Sequence, residues 1–435
     1  MGLESVLKAG RDSGYSTVEA FEEKVVLQEC DGAEGILALH EVRSDRLLVR
    51  AFREAGDPLG FRLSSPDARQ VRRGFSELAS GSVVDRRKNF APLLPRSVDP
   101  VRLDIYDPEI EAWDGSQASD LRERLRECLV TFPGLSLKGF HLSRALRKVY
   151  LANTLGLYSK YRRTIFQAQV RLMDRGCVLE ISESRTHFRD IDPQRLVARG
   201  ASLLNALAAE PEEGIAAGAE ILVLAPEAAA QLLKEFSDGL KLQPSASRAR
   251  GIAASSRVSI LDNPLLARQA GSVPFDDEGT AAAEKHLINK GVAVAAVADI
   301  RTAFENGGAS TGNAFRDERG IFPRVGFSNL YVQPSAQPLA RMLQRAEKGV
   351  LVHLVKRRDG GRPPGQRLFS AYGHSFAGSE VTRPVHFHFV TSMRSFLLHV
   401  LDVSRELRFF PSRGNFGSPY LMLQARREKE DALFV

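Results

Sequence analysis

Cysteine is scarce in this 435-residue chain: Cys30, Cys128 and Cys177 are the only three, with no close pair among them. That excludes a disulfide-stapled scaffold and fits a reducing cytoplasm. Long apolar runs are missing too. The clearest, Gly291 to Ala298, falls far short of the roughly 20 residues that a spanning helix needs, so no membrane segment is expected. The N-terminus carries Glu4 and Lys8 and lacks the apolar stretch of a signal peptide, and Val6 stands where N-myristoylation wants Ser or Thr.

Charge of one sign is absent as well. The 60 Lys and Arg are nearly matched by 53 Asp and Glu, and the +7 that remains is interleaved with acids. This argues against nucleic acid, whose recognition needs clustered charge. Short basic clusters at Arg69/Arg72/Arg73, at Arg86/Arg87/Lys88 and at Lys160/Arg162/Arg163 around Tyr161 read as solvated surface. Gly307-Gly308 and Gly414-Asn415-Phe416-Gly417 lack the strand-turn-helix setting of a phosphate-binding loop or dinucleotide fingerprint. No Gly-x-Ser-x-Gly elbow occurs, and no Ser/His/Asp or Cys/His arrangement stands out.

What is present is a 43% apolar chain long enough for two or three domains. Residues 17–63 alternate apolar and polar positions, with turn signals at Asp31-Gly32, Ser44-Asp45 and Gly56-Asp57-Pro58, which predicts an antiparallel meander. Ser65-Pro66 starts a helix through Val71, Phe75 and Leu78. Residues 91–115, with Pro92, Pro95, Pro100 and Pro108, read as a linker. A helix over 117–130, strands over about 135–182 and a helix opened by Pro193 make a second unit. The last unit starts with the strand AEILVLA and a helix from Pro226. It continues with strands around 258–262, 291–297, 328–333, 350–356, 368–376 and 385–391, and helices near 336–347 and 392–403. The expected division is an N-terminal α/β unit (1–90), the linker, a central α/β unit (116–212) and a C-terminal β-rich domain (213–435). The fold class is α+β: N-terminal α/β units followed by a large, mixed, mostly antiparallel β domain with packed helices. Leu339, Met342, Leu343 and Ala346 form one apolar stripe that reads as core, with Gly349 as the stop after it.

Five separated segments stand out in order: Asn153-Thr154 with Gly156, then Asp262-Asn263-Pro264, then Pro274-Phe275-Asp276-Asp277-Glu278-Gly279, then Ser310-Thr311-Gly312-Asn313-Ala314, then Ser328-Asn329-Leu330-Tyr331. Together they resemble the TldD/PmbA family, whose members include TldD and TldE and carry the older description "modulator of DNA gyrase". The likeness is best over 215–425, moderate over 140–210 and weak over 1–90. The resemblance implies a zinc metallopeptidase scaffold. Catalytic members carry His-Glu-x-x-x-His on a helix and a cysteine near the C-terminus, with imidazoles and thiolate holding the metal and the glutamate acting as general base.

Here the corresponding helix reads Lys234-Glu235-Phe236-Ser237-Asp238-Gly239, and no cysteine follows Cys177. A lysine brings a cation where a lone pair is needed, and glycine has nothing to donate. The degenerate positions Lys234, Glu235 and Gly239 therefore predict no metal and no catalysis in this chain alone. The branch resembled is TldE/PmbA: a non-catalytic subunit, with zinc in a TldD-like metalloprotease partner and unfolded peptide as substrate, so that the pair is a heterodimer performing proteolysis. The residues alone give the helix a plain account as well, with Ala229, Leu232, Leu233, Phe236 and Leu240 on a core face and Lys234 and Asp238 as a surface pair.

The acids Asp276, Asp277 and Glu278 could offer oxygens to a hard cation, but consecutive loop residues rarely converge on one ion. They read better as acceptors of backbone hydrogen bonds with Gly279 supporting a turn, and Asn313 and Asn329 fit the same account. His386 and His388 share one face of a strand with His374 on the strand before, so a relocated metal site is one alternative. A homodimer that binds or regulates peptides is another.

Overall fold

In the computed structural model, the residues described are 2–33, 36–54, 58–64, 67–80, 90–114, 116–208, 220–242, 254–317, 320–360, 363–412, 414–427 and 433–434. The turn at Gly56-Asp57, the helix start Ser65-Pro66 and the cluster Arg86/Arg87/Lys88 lie outside them.

The chain opens with α1 (Leu3–Asp12), β1 (Thr17–Ala33), β2 (Ile36–Phe52), β3 (Leu59–Ser64) and α2 (Ala68–Ser80). Next come the short α3 (Pro108–Glu111), α4 (Ser116–Leu129), β4 (Ser136–Asn153), β5 (Tyr158–Asp174), β6 (Cys177–Arg185) and α5 (Pro193–Leu207). Strands from both sides of residues 91–115 share one antiparallel sheet, ordered β3-β2-β1-β4-β5-β6. One face is apolar at two places. At one end α1 and α2 cover Val18, Ala20, Val49 and Ala152; at the other α4 and α5 cover Cys30, Leu142, Phe166 and Ala168. The expected turn at Ser44-Asp45 does not form. β2 runs straight through it because Ser44 and Asp45 stay in register with Val25 and Lys24, and ladder hydrogen bonds along a long strand outweigh a local turn preference.

The rest of the chain builds two large sheets around a central helix, and one two-stranded ribbon. It begins with β7 (Ile221–Leu224) and α6 (Pro226–Phe236), followed by β8 (Ile260–Asp262), β9 (Lys285–Asn289), β10 (Val292–Ala293) and α7 (Ile300–Glu305). After these come β11 (Ala314–Phe315), β12 (Arg324–Val325), β13 (Asn329–Val332), α8 (Leu339–Ala346), β14 (Lys348–Arg358), β15 (Gln366–Ala377), β16 (Glu380–Ser392) and α9 (Met393–Leu398). The chain closes with β17 (Val400–Val403), β18 (Arg408–Ser412), β19 (Gly414–Ser418), β20 (Leu421–Gln424), β21 (Arg426–Arg427) and β22 (Leu433–Phe434). Six strands order as β10-β9-β8-β13-β19-β18, and eight as β17-β20-β7-β14-β15-β16-β22-β21. The architecture is mixed α+β and mainly antiparallel, as the alternation predicted, with parallel pairing at β7–β14, β13–β19 and β16–β22.

α6 lies in the core between these two sheets, its Ala229, Leu232 and Leu233 packed with Leu222, Val352 and Phe369 of one and Ile260, Leu330 and Phe416 of the other. Burial extends to Ala228 and Ala230, so the helix is apolar around most of its circumference rather than on one face. The stripe on α8 is core as expected, with Met342 and Leu343 packed against Val223 and Leu351.

Three local expectations fail. Residues 291–297 give only the two-residue β10, with the unexpected β9 before it. The helix near 392–403 ends at Leu398: Ser392 caps its start by accepting from Ser395 N, and Val400–Val403 leave as a strand paired with β20, as suits β-branched residues. The positive φ that stops α8 falls on Glu347, not Gly349, which is already in β14.

Candidate functional site

The degenerate metal helix is the C-terminal end of α6. Glu235 is half-buried and tied on both oxygens. Its Oε2 accepts from Arg367 Nη1 at 2.7 Å and from Arg357 Nη1 at 3.4 Å, while Gln231 Nε2 reaches Oε1 at 3.5 Å. Arg367 also lies over the Phe236 ring, 5.2 Å from its centroid. The charge-assisted contact with Arg367 fixes this carboxylate against β15, away from any metal-holding group among the described residues. Gly239 sits under α9: a Cβ there would lie 2.8 Å from Met393 Sδ, so a larger side chain needs Met393 to move. The α-helix ends at Phe236 and tightens to a 3-10 turn over Ser237–Leu240. The expected Lys234–Asp238 pair is replaced by Asp238–Lys241 at 2.8 Å, because the tighter turn brings i,i+3 rather than i,i+4 neighbours together. The donors at Lys234 and Gly239 do not fit zinc, and no group of three or more His, Cys, Asp or Glu that could hold a metal occurs among the described residues.

The separated signature segments come together, but as a hydrogen-bonded web. Asp262 accepts from Asn313 Nδ2 at 2.7 Å and from Ser328 N and Oγ at 2.8 and 2.9 Å. Asn313 also donates to Gly326 O and accepts from Thr311 Oγ1. Asn329 donates to Asn263 O and Ser272 Oγ and accepts from Asn415 Nδ2. Earlier in the chain, Asn153 Oδ1 accepts from Leu155 N and Leu157 N across the β4–β5 turn, and Nδ2 reaches Pro95 O.

The acidic run is fully buried and each acid has a separate task. Asp276 accepts from Glu278 N, Thr280 N and Ala314 N at 2.9–3.0 Å. Burial, with Glu278 nearby, pushes its carboxyl well above the usual range. Asp277 Oδ2 accepts from Arg316 N at 2.6 Å. Glu278 Oε1 accepts from Arg50 Nη1 at 2.7 Å and Oε2 from Ile300 N at 2.9 Å. Gly279 turns the chain at φ +84°, where a Cβ would meet Leu157 Cδ2 at 2.5 Å.

Arg50 continues into the first sheet, donating to both oxygens of Glu19 at 2.9 and 2.6 Å, and Arg316 reaches the same carboxylate. Burial pushes the Glu19 carboxyl up, but Arg50 and Arg316 outweigh it and hold it below the ordinary value. Glu23, bound by Arg46 and Arg147, extends the cluster. The oxygens that could have met a hard cation are thus occupied by guanidiniums and backbone N–H groups. Sequence reasoning missed Glu19, Glu23, Arg50 and Arg316. For Glu19, Glu23 and Arg50 the signal was charge alternating with Phe21 and Leu48 at inward strand positions, which period-two alternation reads as the wet face; Arg316 follows β11 in a loop and gave none.

His374, His386 and His388 share a sheet face but not a centre. His374 Nε2 meets Asn205 Oδ1 of α5 at 2.7 Å and Nδ1 meets His353 Nε2 at 3.0 Å. His386 stacks on Tyr372 at 4.2 Å, and His388 lies between Ser370 Oγ (3.1 Å) and Arg358 Nη1 (2.9 Å). Burial, with His374 beside it, lowers the His353 pKa to about 4. Burial also lowers His374, His386 and His388. His353 had escaped notice because it is the bulged residue of β14, off the regular alternation.

Residues 220–427 match the family described as the PmbA/TldA metallopeptidase C-terminal domain. A protein of Archaeoglobus fulgidus named "Metalloprotease" is 30% identical over 161 residues, 36% of this chain and 37% of that protein. Another of the same name, from Methanothermobacter thermautotrophicus, is 32% identical over 135 residues, 30% of this chain and 29% of that protein. Each match thus spans about a third of the relative's length. The fold extends further. The crystal structure of TldE from Thermococcus kodakarensis superposes with a TM-score of 0.84 at 16% identity, covering 97% of this chain and 98% of that one. A Thermotoga maritima protein described as a modulator of a DNA gyrase superposes with 0.80 at 17% identity, over the same shares. No described helix is long and apolar enough to cross a membrane.

Proposed function

Because this chain belongs to the TldD/PmbA family, we propose that it is a TldE-like, non-catalytic subunit that pairs with a zinc-bearing TldD-like metalloprotease acting on unfolded peptides. One observation carries the reading: Glu235, the glutamate retained from His-Glu-x-x-x-His, spends its carboxylate on Arg367 and Arg357 while its would-be ligand neighbours are Lys234 and Gly239. Zinc in such a site would supply an activated water and a Lewis acid. Lys234 and Gly239 provide neither imidazole, so this chain's part is to shape a shared cavity. Extended peptide suits strand addition to an exposed sheet edge, which holds main chain without regard to sequence.

Co-expression with a TldD-like chain that carries the intact motif tests this. The two chains co-purify, and peptide hydrolysis needs the motif-bearing chain. Chelator-sensitive hydrolysis by this chain alone overturns the proposal.

A further inference from the structure

Among the described residues, the first sheet leaves a partly open strip on its outer face, between the α1/α2 layer and the layer formed by α3, α4 and α5. Across three neighbouring strands, Lys24 of β1 stands directly opposite Lys148 of β4, which stands directly opposite Arg162 of β5. One step along, Tyr150 faces Lys160, and beyond that Ala152 faces Tyr158. Side chains directly opposite across strands lie about 5 Å apart, and like charges so placed destabilise a sheet. A sheet selected for stability alone would alternate signs here.

Compensation is partial, since Asp45 of β2 stands directly opposite Lys24 on its other side, while Lys148 and Arg162 have no acid opposite them within these three strands. Glu111 of α3 is shared, 3.7 Å from Lys148 and 3.8 Å from Arg162, and Glu22 lies 3.3 Å from Lys24. Each joins a solvent-exposed cation to a half-buried carboxylate, and one carboxylate is divided between two cations, so each is worth about 1 kcal/mol or less. The side chains of Lys24, Lys148 and Arg162 are 43%, 39% and 55% exposed, and Lys160 and Tyr158 are exposed beside them. The opposite face of the same strands carries Glu19, Phe21 and Glu23 toward the C-terminal domain, so the strip looks outward.

We propose that this strip docks an acidic, extended polypeptide segment, its carboxylates meeting Lys24, Lys148, Lys160 and Arg162. Peptide rather than nucleic acid follows from the interleaved Glu22 and Glu111, which oppose a continuous phosphate backbone. Carboxylates spaced along a chain can pass between them. Two of the three tyrosine rings also have a face taken by a cation, with Arg162 over Tyr106 at 3.7 Å and Lys24 over Tyr150 at 5.8 Å, which leaves Tyr158 alone of the three to stack a base. The surface is distinct from the α6 locus and does not depend on pairing with a metalloprotease.

Fluorescence anisotropy of the chain alone with a fluorescein-labelled oligoglutamate peptide tests it, with oligoglutamine and oligouridylate as comparison probes. Oligoglutamate binds, oligoglutamine does not, and added salt weakens the binding. Lys148→Glu/Arg162→Glu weakens it about tenfold, while Lys138→Glu/Lys348→Glu, an equal charge change elsewhere, leaves it alone. If the first variant misfolds, Lys160→Glu reads the same loss from an exposed position. Lys148→Thr separates docking from structure: it weakens binding while melting at or above the parent temperature, since it relieves the cationic row with a good strand former. Absence of oligoglutamate binding, equal loss in the distant variant, or tighter binding of oligouridylate overturns the proposal.

Discussion

Two carboxylate–arginine clusters in this chain look alike in composition and differ in setting. Glu19 and Glu278 meet Arg50 in full burial, between a strand of the first sheet and a loop of the C-terminal domain 228 positions away. Glu235 meets Arg357 and Arg367 at the rim of one domain, where Arg357 is 54% exposed. Burial decides what each can do. In the buried cluster every charge relies on its partners, because water cannot replace them. At the rim, water and salt reach the arginines and screen the contact. The acidic run that resembles a cation site is therefore a clamp between parts of the fold, and the helix that resembles a catalytic motif carries a half-buried carboxylate held by two solvent-facing arginines.

The sharpest way to break this comparison is to remove Arg50. Arg50→Leu strands Glu278 without its cation, leaves Glu19 with Arg316 alone and lowers stability by about 3–5 kcal/mol, measured by denaturant unfolding. A loss below about 1 kcal/mol would place the clamp among surface pairs.

Acid separates the buried groups by range. His353 titrates near 4 in the fold and near 6.5 when unfolded, so its neutral form adds stability at pH 7 that is lost as pH falls from about 6.5 toward 4. At pH 5 the loss is about 2 kcal/mol, and His353→Gln removes it from the pH profile. Glu19, held below its ordinary 4.5, contributes stability that is lost only below that value. That phase survives in His353→Gln, and a profile unchanged by the substitution would remove the histidine from the account.

The smallest effect belongs to Glu235→Gln: about 1 kcal/mol or less, fading with added salt, and no loss of peptide hydrolysis in an assembly with a motif-bearing partner. Abolished hydrolysis would make Glu235 a participant in the chemistry.

The difference between the clusters also marks what the sequence could tell. α6 and the β4–β6 hairpins were legible because local periodicity and Pro226 and Pro193 announce them, and the α+β class followed from that. The loss of metal donors at Lys234 and Gly239 was equally legible, since residue type alone decides it. The clamp was not. Glu19, Arg50, Glu278 and Arg316 come from four segments, and strands buried on both faces hide charged residues at positions that alternation assigns to solvent. The cationic strip was half legible: Lys160 and Arg162 stood out as a cluster with Arg163. Only strand register adds Lys24 and Lys148, while Arg163 points to the opposite face and donates to Ala270 O.

The most direct test is the zinc content of the purified chain, measured together with its hydrolysis of an unfolded peptide in the absence of any partner. The account predicts substoichiometric zinc and no chelator-sensitive turnover. One zinc per chain, with turnover lost on chelation and in Glu235→Gln, would contradict it.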